Sequence, residues 1–195
     1  MKDRIVENLR SDQKLYLYVR DAGRLERPGE GLLLRRAEVA DGPRYARDIG
    51  TDSATTFAAR LREDVMCFLV EAEGRLLHAS WVTTSSAWTR EIRGYLSPPP
   101  GDAYVYESFT RADARGRGIY PFALAGIVTH LSTGGVKRIW VGVEATNAPS
   151  QRAIEKAGFA RSFELVYCRR LGRFRLDVTA LDDSTDAYLF LAHNA

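Results

Sequence analysis

The sequence predicts an α/β fold with a mixed sheet, on three observations. A strand-like run at Tyr104–Thr110 leads into a helical pattern at Tyr120–Leu131, and a second strand-like run follows at Ile139–Val143. Strand, helix, strand in that order is the parallel crossover unit. Met66–Ala72 and Leu76–Thr83 are apolar runs joined at Glu73-Gly74, the signal of an antiparallel hairpin. In Lys14–Arg20, KLYLYVR, Leu15, Leu17 and Val19 alternate with Tyr16, Tyr18 and Arg20, which is the period of a strand.

The remaining elements follow in order. Residues 1–30 carry a short helical pattern (Ile5, Val6, Leu9), then the 14–20 strand, then turn residues Pro28 and Gly29, with Gly31 just beyond. They read as an N-terminal extension packing on a domain that spans 31–195. That domain starts with the apolar run Leu32–Leu34. Ala40-Asp41-Gly42-Pro43 is a cap-and-start signal for a helix over Arg44–Ile49, and a second short helix is expected over Ala54–Glu63. Trp88–Gly101 reads as irregular, with Pro98-Pro99-Pro100 as a stiff connector. Leu124, Ile127, Val128 and Leu131 fall at helical spacing, and Gly134-Gly135 ends that helix. Pro149–Ala157 is a short helix stopped by Gly158. Phe163–Arg169 and Phe174–Leu181 are closing strands.

Composition narrows the function classes. Forty-five per cent apolar residues in 195 supply the core of one domain without a covalent staple. A dispersed net charge of +3 is too small to indicate nucleic acid. No apolar stretch approaches the ~18 residues of a membrane span. MKDRIVENLRSD has no apolar signal core. Cys67 and Cys168 lie in apolar or strand-like runs and read as reduced thiols. A cytoplasmic location is expected. Three scattered histidines and two distant cysteines give no zinc spacing, so no metal is expected.

The chemistry centres on Phe109–Leu124. Arg115-Gly116-Arg117-Gly118 precedes a helix start at Ile119-Tyr120-Pro121. Glycine lets backbone approach a ligand, and the first N–H groups of a helix have no partner within it. An anion, most often phosphate, fits there. Pro121 is tolerated in the first turn because its missing N–H would be unbonded anyway. The loop is neither GxxxxGK[ST] nor GxGxxG. Arg115-Gly116-Arg117-Gly118-Ile119-Tyr120 resembles the acyl-CoA pyrophosphate loop of the GCN5-related N-acetyltransferases (GNAT), Q/R-x-x-G-x-G/A, departing at Tyr120, where that family has Gly or Ala. A second motif follows at the family's spacing: Asn147, a short helix, then Gly158-Phe159, with Ser150 in the family's alanine slot. The resemblance covers about residues 32–180.

The resemblance implies a mostly antiparallel sheet of about seven strands, splayed at the cofactor site, with helices on both faces. It implies acetyl-CoA as acyl donor, with its diphosphate on the amides of Arg115, Gly116, Arg117, Gly118, Ile119 and Tyr120. Backbone groups of Ser108, Phe109 and Thr110 would hold the pantetheine, with Asn147 and Ser150 beside it. A backbone amide near Phe109 or Thr110 would polarise the acyl carbonyl. Aminolysis also needs a base and a proton donor for the leaving thiolate. Glu107 is the expected base: on a regular strand it shares a face with Val105 and Phe109, and apolar neighbours suit a base. Its alternative is a structural ion pair with an arginine. Many members of the resembled family place an acid tyrosine at the position of Ile154, so Tyr120 is the expected substitute, with Tyr167 and water as the other candidates. The alternative for Tyr120 is helix–sheet packing. His78, in step with Ser80 and Val82, reads as a satisfied strand histidine, with pocket lining or a base role as the alternative; His130 reads as structural, and His193 lies in the tail. Trp81, Trp88, Tyr95 and Tyr106 are candidates for an acceptor pocket or for the core.

The expected activity is direct acetyl transfer to a primary amine of a small molecule in a ternary complex. A protein acetyltransferase, and a sensor that binds acyl-CoA without turnover, are the alternatives. A homodimer is an open assembly; nucleic acid and membrane are not expected partners.

Overall fold

A computed structural model describes residues 10–25, 29–170, 173–181 and 190–192. Strand β1 is Arg10–Asp21 and β2 is Leu33–Arg36. Helices α1 (Gly42–Asp48) and α2 (Ala54–Arg60) follow. Then come β3 (Val65–Ala72), β4 (Arg75–Thr83), β5 (Ala87–Thr89), β6 (Gly94–Ser97) and β7 (Ala103–Thr110). Helix α3 (Ile119–Thr133) leads to β8 (Arg138–Glu144), and α4 (Ala148–Lys156) to β9 (Ala160–Arg170), β10 (Arg173–Ala180) and β11 (Phe190–Ala192). The N-terminal helical pattern at Ile5, Val6 and Leu9, the turn residue Pro28 and the tail residue His193 lie outside the described residues.

The main sheet has eight strands in the order β10-β9-β1-β8-β7-β4-β3-β2. Among the described strands only β7 and β8 pair in parallel, and they are the two strands flanking α3. The crossover read from the sequence is therefore in place. β3 is buried on both faces, which explains its unbroken apolar run. Met66 and Phe68 pack with Leu124, Ile127 and Val128 of α3 and with Ile154 of α4. Val65, Cys67 and Leu69 pack on the other face with Tyr45 of α1 and Phe57 of α2.

Two expectations are corrected. The strand placed ahead of the main domain lies inside its sheet. β1 pairs with β8 over Leu15–Asp21 and with β9 over Arg10–Val19. Its alternation divides two cores: Leu15 and Leu17 face one, Tyr18 the other. The stretch read as irregular from Trp88 contains the β5–β6 hairpin, joined by β11 into a separate three-stranded sheet. Ala87, Ile92 and Leu96 of that hairpin cover Leu15, Leu17, Trp140 and Leu165. Strands of three or four residues show too few alternations to be read as strands from sequence.

The β7–β8 pairing stops early. Ala103–Val105 pairs with Ile139–Val141, yet β7 runs on to Thr110 and β8 to Glu144. The two strands part there, and the parting opens beside the start of α3.

Candidate active site

The open edge of β7 is shaped by a bulge. Trp81 of β4 lies opposite Tyr106 and Ala79 opposite Phe109, so Glu107 and Ser108 together face one residue, Ser80. Glu107 takes a left-handed conformation, φ +45°. A bulge of this kind re-aims side chains and breaks alternation. The shared face of Val105, Glu107 and Phe109 is therefore corrected: Val105 packs on the α3 side, Phe109 on the α1–α2 side. Glu107 is exposed, and its carboxylate accepts from Arg60 at 2.5 Å. Arg60 also donates to Asp52 at 2.6 Å and stacks 3.9 Å above the Trp81 ring. The ion pair weighed against the base role thus exists, and it holds the carboxylate at a fixed place.

Beyond the bulge, Arg111 donates its amide to Leu77. Successive residues of a strand turn their amide groups to opposite edges. Thr110 therefore turns its N–H and C=O to the open side, where its carbonyl accepts from Arg115 Nε at 3.2 Å. The sequence reading offered Phe109 or Thr110 as polarising amide; this pairing leaves Thr110 as the one facing the gap.

The loop before α3 has the expected form. Gly116 and Gly118 have φ +76° and +73°, and a Cβ built on either would meet nothing in the protein. These glycines serve the backbone path and leave space outside it. Among the described residues, the amides of Gly116, Arg117 and Gly118 find no backbone acceptor. Those of Ile119 and Tyr120 open the helix, where no intrahelical acceptor exists. Arg117 is exposed; the Ile119 side chain is in the core, so only its amide is available.

Tyr120 is turned inward. Its ring stacks on His78 with centroids 5.3 Å apart, and its hydroxyl meets Ser108. Burial pushes its phenol up to about 12, with Ser108 working the other way, so it stays protonated at neutral pH. His78 is fully buried and both ring nitrogens are bonded: Nδ1 to Thr110 at 2.7 Å and Nε2 to Ser80 at 2.8 Å. It is a satisfied strand histidine, as read.

Burial pushes the His78 imidazole down to about 3. The unfolded chain takes up a proton near the ordinary 6.5, while the folded one does not. Stability from this residue is complete above pH 6.5 and drains as pH falls toward 3, at about 1.4 kcal/mol per pH unit. The paired carboxylates Asp41, Asp48, Asp64, Glu71 and Asp113, all held low, lose theirs only in more acid solution. Urea unfolding at pH 7 and pH 5 should therefore differ by about 2 kcal/mol, and by much less in His78→Gln. Equal pH sensitivity in the two proteins would show that His78 is not responsible.

The parted strands open a cavity of about 630 Å³. Glu107, Ser108, Phe109, Tyr120, Asn147 and Ser150 all line it. Thr110 and Arg115–Ile119 are not among its lining residues. Asn147 caps α4, its Oδ1 accepting from the Ser150 amide at 3.2 Å, which leaves its NH₂ and one oxygen lone pair for a ligand. Gly158 ends α4 at φ +79°, and Arg20 occupies the place a Cβ would take. Ile154 is fully buried. Tyr167 stacks on Phe174 and does not line the cavity. Of the aromatic candidates, Trp88 and Tyr106 line it, Trp81 is core, and Tyr95 stands behind Trp88 at 5.4 Å. Sequence reasoning missed Asp52, Arg60, Glu91 and Glu144, because nothing local marks them. Ser80 carried a signal: beside His78 it makes a polar pair in an otherwise apolar strand.

Residues 95–160, which contain both motifs, match the family model described as acetyltransferase (GNAT) domain. In fold the chain is similar to a GCN5-related N-acetyltransferase from Sphaerobacter thermophilus (TM-score 0.58, 13% identity, 95% of this chain and 57% of that one). It is similar to an acetyltransferase from the GNAT family from Colwellia psychrerythraea (0.57, 20%, 80% and 55%). The ribosomal-protein-S18-alanine N-acetyltransferase from Escherichia coli is a third (0.53, 16%, 73% and 95%). The chain spans less than two thirds of the length of the first two. At these identities the likeness concerns the fold. No curated protein matches the chain in sequence.

Proposed function

We propose that this chain, GNAT in its central segment and in its fold, is an acyl-CoA-dependent N-acyltransferase that uses acetyl-CoA on a small primary amine. One observation carries the reading: a loop of unbonded amides, at Gly116–Tyr120, stands where two parallel strands part over a cavity holding a carboxylate and a protonated phenol. The residues fit the donor. Five amides and the helix dipole suit a diphosphate, and the space beside both glycines is open. The outward groups of Thr110 suit an extended amide-bearing arm.

In this reading the amine nitrogen forms a bond to the thioester carbonyl carbon as the carbon–sulfur bond breaks. Glu107, held by Arg60, takes the proton lost from nitrogen, directly or through one water. Tyr120 gives its proton to the departing sulfur. Transfer is direct in this reading: among the described residues no cysteine lines the cavity, and the hydroxyl of Ser108 bonds to Ser80 while the Glu107 carboxylate bonds to Arg60. The cavity wall supports a cationic acceptor: Asp52, Glu91, Glu107 and Glu144 line it against Arg60 and Arg90, and the exposed Trp88 offers an apolar face.

Thiol release from acetyl-CoA against a panel of small amines and basic peptides tests the proposal. Release with small amines supports it, and release with peptides alone points to a protein substrate. Binding of acetyl-CoA without release under any acceptor identifies a sensor. Glu107→Gln should lower kcat roughly 10²-fold, the lower end of general-base contributions. An unchanged kcat across the pH range would remove Glu107 from the chemistry.

A further inference from the structure

We propose that His78 is a positioning residue for Tyr120, acting through Ser80 and Ser108 to decide which way the phenolic proton points. The inference rests on Tyr120 as the acid of the proposed reaction.

Four side chains of β4 and β7 form one continuous polar chain, and Tyr120 of α3 stacks on its His78, with Ser108 the polar neighbour of the phenol. β4 contributes His78 and Ser80, and β7 contributes Ser108 and Thr110. Thr110 Oγ1 lies 2.7 Å from His78 Nδ1, His78 Nε2 lies 2.8 Å from Ser80 Oγ, and Ser80 Oγ lies 2.8 Å from Ser108 Oγ. Ser108 meets the Tyr120 hydroxyl, whose ring lies over His78. The bulge at Glu107 makes this possible. It shifts the face of β7 by one residue, so that Ser108 and not Glu107 lies over Ser80. His78 and Ser80 are both fully buried.

Proton counting gives the chain a direction. A neutral imidazole has one N–H and one lone pair, so one ring nitrogen must donate and the other accept. Each hydroxyl donates once. If Nε2 carries the proton, it donates to Ser80, Ser80 to Ser108, and Ser108 to the Tyr120 oxygen. The Tyr120 O–H is then left to point into the cavity. If Nδ1 carries it, the order reverses: Ser80 donates to Nε2, Ser108 to Ser80, and Tyr120 to Ser108. The phenolic proton is then spent inward, away from a leaving group. The first arrangement is the acid-competent one. In it Thr110 donates its own hydroxyl proton to Nδ1. The chain also leaves Ser108 donating to the phenolate formed when Tyr120 gives up its proton.

The test combines a spectrum with kinetics. The imidazole ¹⁵N resonances of His78 in the intact protein should show a protonated Nε2 and an unprotonated Nδ1; the opposite pattern overturns the proposal. Ser80→Ala cuts the chain while leaving His78 in place. It should lower kcat tenfold to a hundredfold with the KM for acetyl-CoA within twofold. His78→Leu should do the same. His78→Gln, whose amide reaches the Nε2 position with a permanent donor, should keep kcat within threefold of the parent. In a Tyr120→Phe background, Ser80→Ala should cost nothing further. Additive losses, or an unchanged kcat in Ser80→Ala, sink the positioning role while leaving Tyr120 as acid. An unchanged kcat in Tyr120→Phe itself shows that the acid assignment failed, and the positioning role falls with it.

Discussion

Deleting residues 1–21 should yield a chain that no longer folds, although the deletion touches neither motif. β1 is the third strand of eight, and among the described residues no other element joins β8 to β9. Neighbouring strands lie about 4.8 Å apart, so its loss leaves a slot of roughly 10 Å that β8 and β9 cannot close without rebuilding every contact beyond it. Leu15, Leu17 and Tyr18 are each at most 2% exposed. Their burial is worth about 1.5–3 kcal/mol apiece, against a total of about 5–15 for a domain of ordinary stability. A single Leu17→Ala should cost about 2–5 kcal/mol by itself. Circular dichroism and urea unfolding of the truncated chain decide the matter. A cooperative transition, with affinity for coenzyme A retained, would mean that the strand is dispensable.

Gly118→Val should weaken coenzyme A binding by two to four orders of magnitude, and Arg117→Ala by fivefold at most. At φ +73° a β-branched residue is strained, yet the Cβ it adds meets no protein atom within 4 Å. The fold should therefore survive, at about 1–2 kcal/mol of strain. The damage falls on the loop. Relief of the strain turns amides away from the diphosphate, and the new methyl groups stand in the space the ligand needs. Hydrogen bonds to a charged group are worth about 1.5–3 kcal/mol each, so two of them account for the expected loss. Arg117 is exposed, and an exposed ion pair contributes about 0–1 kcal/mol. Calorimetric titration of both variants with coenzyme A measures the ranking. Equal losses would mean that charge, not the amide cradle, holds the ligand.

The loop was legible because its determinants are local. Two glycines, a proline in the first helical turn and an apolar helical stripe are adjacent in the chain, and each acts on its own backbone. The same is true of Asn147 and Gly158 at the two ends of α4. Glu107 was legible as a residue but not as an environment. A bulge adds one residue to a strand without altering its composition, so the apolar–polar pattern of Val105–Phe109 still reads as regular alternation. Arg60, which fixes that carboxylate, is 47 positions away in sequence. Asp52, Glu91 and Glu144 come from three further segments.

The sequence by itself determined the class of fold, the crossover around α3 and the two motifs, since hydrophobic period and glycine position act over a few residues. Only the tertiary structure decided that the N-terminal strand lies inside the sheet, that β7 bulges, and that His78 bonds through Ser80 to Ser108 while stacking on Tyr120. Those outcomes depend on strand order and register, and register is a competition among many pairings that no single stretch of chain can decide.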